Sequence, residues 1–300
     1  MRPRHIVFVP GKNPKPPAEQ HHELLWRTLC EGVRRADPEL VADLEASMDA
    51  FTLVAWNPLY YGEAKDVSRD LPWIDALINT HGPSEADVRE AASWHRLIDR
   101  TLYNLIDSVP TLMRLLPRPM REAAEELSRY FENHDGVAAR IRELLKQALR
   151  PRLAEDARIL LIGHSMGAVI AYDTLWELSH VERHPGRVDR FLTLGSPLGM
   201  NYVRHRLLGA AREGAERYPA NLRRWVNVAA VGDLTTLGRE VREDYCEMSQ
   251  LGLLESIEDH SRGIYNFFRN EDGLNVHRSY GYLVNPAVGR IIADWWREDR

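Results

Sequence analysis

The sequence predicts an α/β protein: a mostly parallel sheet of about six strands with helices on both faces. Three observations carry this expectation. Short uninterrupted apolar runs recur, among them HIVFVP at 5–10, RILLI at 158–162 and WVNVAAV at 225–231. Runs without polar alternation belong to strands buried on both faces. The segments between them repeat apolar residues at helical spacing, so strands and helices alternate, as they do in parallel sheets crossed by helices.

The first strand, 5–10, leads into GKNPKPP, where Gly11, Pro14, Pro16 and Pro17 prevent regular structure. Residues 19–35 read as a helix with Leu24, Leu25, Leu29 and Val33 on one side. FTLVAW (51–56) is a second buried strand, ended by Asn57-Pro58. From Leu59 to Arg150 the chain shows helical patterns and no convincing strand, so 59–150 is expected to be a helical, lid-like insertion within a single domain spanning 1–300. In it, Ser84 with Asp87 three residues on forms a capping box, and Pro110, Pro117 and Pro119 break the helical pattern into pieces. Further helices are expected at 121–131 and 137–149. Strands resume at 158–162, 190–194 and 225–231, with IYNFF (264–268) as a weaker last strand. Helices are expected at 166–179, 201–216 and 286–296, the last with Pro286 in its favourable first turn.

Composition narrows the function classes. Hydrophobic residues make up 44% and charged residues 28% of 300, enough for a substantial core. The formal net charge of -5 and the absence of long basic clusters argue against nucleic acid as a partner. Cys30 and Cys246 are the two cysteines, which gives neither a disulfide framework nor a CxxC metal pattern. No secretory signal and no run of 18 apolar residues is found, so a cytoplasmic protein without a transmembrane segment is expected, with no metal and no cofactor.

The chemistry is concentrated in Gly163-His164-Ser165-Met166-Gly167, between an apolar strand and a helix. G-x-S-x-G in that context is a nucleophile elbow, a sharp turn whose flanking positions tolerate no side chain. A serine hydroxyl needs a histidine to take its proton and a carboxylate to orient that histidine. In chain order the acid and the histidine follow the serine, each after a later strand. Asp233, directly after WVNVAAVG, and His277, in DGLNVHRSYGYL before the final helix, satisfy this order. His260 is a competitor expected to face the wrong end of the sheet, because it precedes IYNFF. Asp189 and Asp244 are alternative acids, one before its strand and one well beyond a strand end. His164 is expected to point away from the nucleophile and to serve packing. Oxyanion donors are expected from the N–H of Met166 and from Gly11 or Lys12, at the end of the first strand. G-x-x-x-x-G-K is absent, so Lys12 is not a P-loop lysine.

VFVPGK, LLIGHSMGAVIA, FLTLGSPLG, VNVAAVGD and NVHRSYGYL together resemble the α/β-hydrolase superfamily, specifically its lipase- and esterase-like serine hydrolases. The resemblance spans the chain, with the elbow its most specific part. It implies a serine hydrolase cleaving a carboxylic ester of a small molecule through an acyl-enzyme, with Ser165, His277 and Asp233 as the triad. Two features depart from the family pattern. Pro10-Gly11 stands where a His-Gly oxyanion turn is usual, and the chain starts at the equivalent of the third strand, which trims the sheet to about six. Ser196, in TLGSPLG, is expected to be structural. The same residues would serve a thioesterase, an amidase or an acyltransferase, and the fold alone would also suit a non-catalytic binding protein. Leu97, Ile98, Leu102, Leu105, Ile106, Val109, Leu112, Met113, Leu115 and Leu116 form a wide apolar face. If it lines the pocket, the substrate carries an apolar acyl or alcohol portion. Trp56, Tyr60 and Tyr61, beside a strand end, are expected as further pocket walls.

Overall fold

Six strands lie side by side in the order β2-β1-β3-β4-β5-β6, every neighbouring pair parallel. They are β1 (Arg4–Val9), β2 (Phe51–Leu53), β3 (Arg158–His164), β4 (Val188–Leu194), β5 (Leu222–Val228) and β6 (Ser256–His260). The computed structural model of the chain describes residues 2–93, 118–236 and 240–298, with 118–124 followed as backbone only. The apolar face between Leu97 and Leu116 lies outside the described residues.

The central strands sort their side chains with period two, as a pleated strand must. Val7, Val9, Ile159, Leu161, Phe191 and Trp225 enter one apolar layer. Ile6, Phe8, Leu160, Ile162, Leu192 and Val226 enter the other. The second layer is closed by α1 (Ala18–Ala36) and by the last helix of the chain (Pro286–Arg297). The first is closed by the helix Val137–Ala154 and by α2 (Met166–Trp176), which follows β3 directly. The fold class expected from the apolar runs is the one observed. The helix Val137–Ala154, expected within the inserted stretch, packs through Ile141, Leu145 and Leu149 on the layer that contains Ile159 and Leu161. Ser84 and Asp87 form the expected capping box at the start of the helix Glu85–Ala91. Among the described residues no helix is long and apolar enough to cross a membrane.

Two expected elements are corrected. IYNFF is not a strand: Ile264, Phe267 and Phe268 are buried as irregular chain against the α1 layer. The sixth strand is SIEDH instead, which is polar because it is an edge strand with only Ile257 buried. The helix expected over 201–216 stops at Arg204, and a 3-10 turn forms only at Gly214–Arg217. Gly209, at φ +84, keeps the helix from resuming, and Trp176 sits so close that a β-carbon there would stand 2.2 Å from its indole nitrogen.

α1 and the last helix cross at van der Waals backbone distance. A β-carbon on Gly289 would lie 1.9 Å from the Gly32 carbonyl oxygen, and one on Gly32 would lie 1.9 Å from the Leu283 carbonyl oxygen. Because the obstructing atoms are backbone, the helices themselves must separate to admit even a methyl group. Gly289→Ala is expected to destabilise the protein by about 2 kcal/mol or more, read as a lower urea midpoint at unchanged m-value.

Candidate active site

Ser165 stands between the end of β3 and the first residue of α2, at φ 53 and ψ -125. A residue other than glycine in that region carries strain of about 1–3 kcal/mol, which the surroundings must hold in place. Here the Ser165 N–H is fixed to the Leu194 carbonyl at 2.9 Å. The flanking glycines are sterically required. A β-carbon on Gly167 would approach the Val9 carbonyl oxygen to 2.1 Å, and one on Gly163 would approach the Ala168 α-carbon to 2.6 Å. The turn therefore packs backbone on backbone and projects the hydroxyl at the carboxyl end of the sheet.

His277 and Asp233 arrive at the same place from different loops. The ring Nε2 of His277 lies 2.9 Å from the Ser165 Oγ, and Nδ1 lies 2.8 Å from the Asp233 Oδ2. Asp233 follows β5 and is buried, while the His277 ring is 29% exposed. The carboxylate is surrounded by donors. Tyr282 O–H reaches Oδ2 at 2.6 Å; Thr235 gives Oδ1 its O–H at 2.6 Å and its N–H at 3.0 Å. Burial by itself would push this carboxyl up, but the His277 charge and the hydrogen bonds from His277, Thr235 and Tyr282 outweigh it and bring Asp233 down to about 2. An ionised carboxylate only accepts, so His277 Nδ1 carries a proton, and Nε2 faces the serine hydroxyl, to which the neutral ring presents its lone pair.

The backbone of His277 is pinned as well. His164 donates Nε2–H to the His277 carbonyl at 2.8 Å, and the Asn275 side-chain oxygen accepts the His277 N–H at 3.1 Å. The expectation that His164 points away is thus corrected: it lines the same cavity as Ser165 and braces the histidine loop. Burial first, and then His277 and Lys15, hold its imidazole far below the ordinary range, so it stays neutral. Gly195 supplies close contact from the end of β4. At φ +55, a β-carbon there would stand 2.8 Å from Asp233 Oδ2 and 3.0 Å from His277 Nδ1.

The loop after β1 closes over the elbow. A β-carbon on Gly11 would meet His164 Nδ1 at 2.8 Å and the Ser165 β-carbon at 2.9 Å, so Gly11 passes Ser165 with bare backbone. Met166 opens α2, where backbone N–H groups have no acceptor inside the helix and carry its positive dipole end. The aromatic residues expected as pocket walls stand behind this loop. Trp56 is fully buried and donates its indole N–H to the Pro10 carbonyl at 2.8 Å. The Tyr61 hydroxyl accepts from the Asn13 N–H at 2.9 Å, and Tyr60 donates to the Glu126 carbonyl at 2.6 Å. None of the three lines the cavity beside Ser165. Asn57 adds a clamp, its side-chain amide donating to the carbonyls of Gly11 and Asn13 at 2.9 and 3.0 Å.

That cavity holds about 80 Å³. Lys12, Lys15, Lys65 and Arg278 line it, and among the described residues no carboxylate does.

The competing residues are elsewhere. His260 ends β6 and so sits at the carboxyl end after all, because the last strand is 256–260. Its ring is 40% exposed, 3.8 Å from Glu258. Asp189 accepts from the Ile159 N–H at the amino end of the sheet, and Asp244 pairs with Arg204 at 2.5 Å. Ser196 is buried and caps its own turn, accepting from the Leu198 N–H. Sequence reading missed Thr235, Tyr282, Gly195 and Lys15. Thr235, two residues after Asp233, carries the local signal of an Asx-type turn. Tyr282 has none, because its role exists only through a contact made across the fold.

No protein-family model, no curated protein and no solved structure matches this chain.

Because the folded state holds the Asp233 carboxyl below its ordinary value, the charge contributes stability that is full above about pH 4 and is lost as the pH falls toward about 2. Urea unfolding followed across that range is expected to show this acid-sensitive portion in the wild type and to lack it in Asp233→Asn.

Proposed function

We propose that this chain is a serine hydrolase of the α/β-hydrolase type, cleaving a carboxylic ester through an acyl-enzyme. The observation that carries the reading is the continuous relay from the buried Asp233 carboxylate through His277 to the Ser165 hydroxyl, at 2.8 and 2.9 Å. His277 Nε2 takes the serine proton as Oγ attacks the carbonyl carbon, and Asp233 stabilises the imidazolium that forms. The oxyanion falls to the Met166 N–H and to an N–H of Gly11 or Lys12, each such donor typically worth on the order of 10²–10³ in rate. Collapse of the tetrahedral adduct breaks the ester C–O bond, and the departing alcohol takes the proton from His277. Water then adds to the acyl group with the same base and releases the acid, restoring Ser165–OH.

The strained backbone of Ser165 supports this reading, since strain at a polar side chain beside a cavity is retained where function over-determines it. So does the lowered Asp233, which fixes the histidine tautomer the base needs.

A fluorophosphonate probe is expected to label the wild type at Ser165 and to leave Ser165→Ala unlabelled, as read by intact-mass spectrometry. Labelling that persists in Ser165→Ala, or that survives His277→Ala and disappears with His260→Ala, contradicts the assignment. Asp233→Asn is expected to lower turnover of a p-nitrophenyl ester by on the order of 10⁴ while the far-UV circular dichroism is unchanged.

A further inference from the structure

The cavity beside Ser165 is walled by cations in a chain whose formal net charge is -5. Lys12, Lys15 and Lys65 come from the loops after β1 and β2, and Arg278 follows the candidate base directly. Two carboxylates stand behind them. Glu126 holds Lys12 at 3.1 Å; Asp70 holds Lys65 at 2.8 Å and is also paired with Arg278. Lys15 has no carboxylate partner among the described residues. Its ammonium is tied instead to the Lys12 carbonyl at 2.6 Å, which turns it into the cationic cluster.

This arrangement of like charges is electrostatically costly. Burial first, then Arg278, Lys65 and Lys12, with Asp70 opposing them, bring Lys15 down to about 7. Like charges facing a partly enclosed space of low dielectric repel strongly, and an anion between them relieves that repulsion. His21, buried on the same wall, is held neutral, by burial first and then by Lys15 and Arg278, so it presents no competing charge. The volume of about 80 Å³ suits one compact oxyanion group and is too small for a long acyl chain.

Resting on the hydrolase reading above, we propose that the substrate is an ester bearing a compact anionic group, a carboxylate or a phosphate, which sits against Lys15, Lys65 and Arg278 and delivers the ester carbonyl to Ser165. The cations then act on the ground state and the transition state alike, selecting the substrate by its charge while Ser165 and His277 perform the chemistry. Lys12 contributes through its backbone, its side chain being matched by Glu126, whereas Lys65 and Arg278 share the single Asp70 carboxylate and keep an excess positive charge.

The test compares p-nitrophenyl esters of one short acyl chain ending in a carboxylate, in a phosphonate, or in the corresponding neutral methyl esters. Wild type is expected to prefer a charged ester over its neutral counterpart by about tenfold or more in kcat/KM, a preference that weakens with added salt. Lys15→Met and, separately, Lys65→Met are expected to bring the ratio close to one, and Lys15→Arg to restore it. The carboxylate and phosphonate arms identify which oxyacid the site takes. Neutral esters cleaved as well as charged ones by the wild type, or a ratio unmoved by Lys15→Met, overturn the inference. Calorimetry on Ser165→Ala with inorganic phosphate and with succinate separates this from a failure of the hydrolase reading. Binding that Lys15→Met abolishes upholds the anion site even where no ester is cleaved and no probe labels; absence of binding by either anion overturns it.

Discussion

A single buried charge organises this end of the molecule. The Asp233 carboxylate lies away from water, where an unpaired anion would cost several kcal/mol. It is tolerated because donors reach it from three places: Thr235 in its own turn, His277 from the loop before the C-terminal helices, and Tyr282 a few residues further on. Satisfying one carboxylate thus draws the histidine loop onto the end of β5 and fixes the ring nitrogen that faces Ser165. Tyr282 also accepts from the Ala230 N–H at 2.9 Å, so the same phenol ties the strand end to the helix that follows His277.

The elbow answers a steric constraint in the same region. β1 and β3 run in register from Arg4 beside Arg158 to Val9 beside Gly163, and the turn after each must pass the other. Gly11, Gly163 and Gly167 remove the side chains that would collide, so the serine hydroxyl ends in a wall made largely of backbone. Trp56, Asn57 and Tyr61 hold the Pro10–Asn13 carbonyls and amides from behind. These residues keep the loop in shape without touching the cavity, a division between bracing and contact that residue type does not reveal.

The cations beside the serine set a different electrostatic character from the rest of the chain. A surface with excess negative charge keeps a protein soluble, and a cationic pocket within it concentrates anions locally. The two carboxylates behind the cluster neutralise part of it, leaving Lys15 as the group whose charge is least compensated.

The sequence by itself determined the first five strands, their parallel arrangement and the elbow, because these follow from local properties: unbroken apolar runs, helical spacing, and glycines two residues either side of a serine. It also singled out Asp233 and His277 as candidate acid and base, Asp233 after a strand and His277 after an apolar run that folds as irregular chain. It misread β6, because an edge strand buries one face weakly and shows no apolar run, and with it the position of His260. Only the tertiary structure decided which side chains surround Asp233, that His164 braces His277, that Trp56, Tyr60 and Tyr61 stand behind the Pro10–Asn13 loop, and that four cations meet beside Ser165. Those facts depend on which loops the sheet order brings to one end, over separations of tens to hundreds of residues, and no periodicity in the chain encodes such distances.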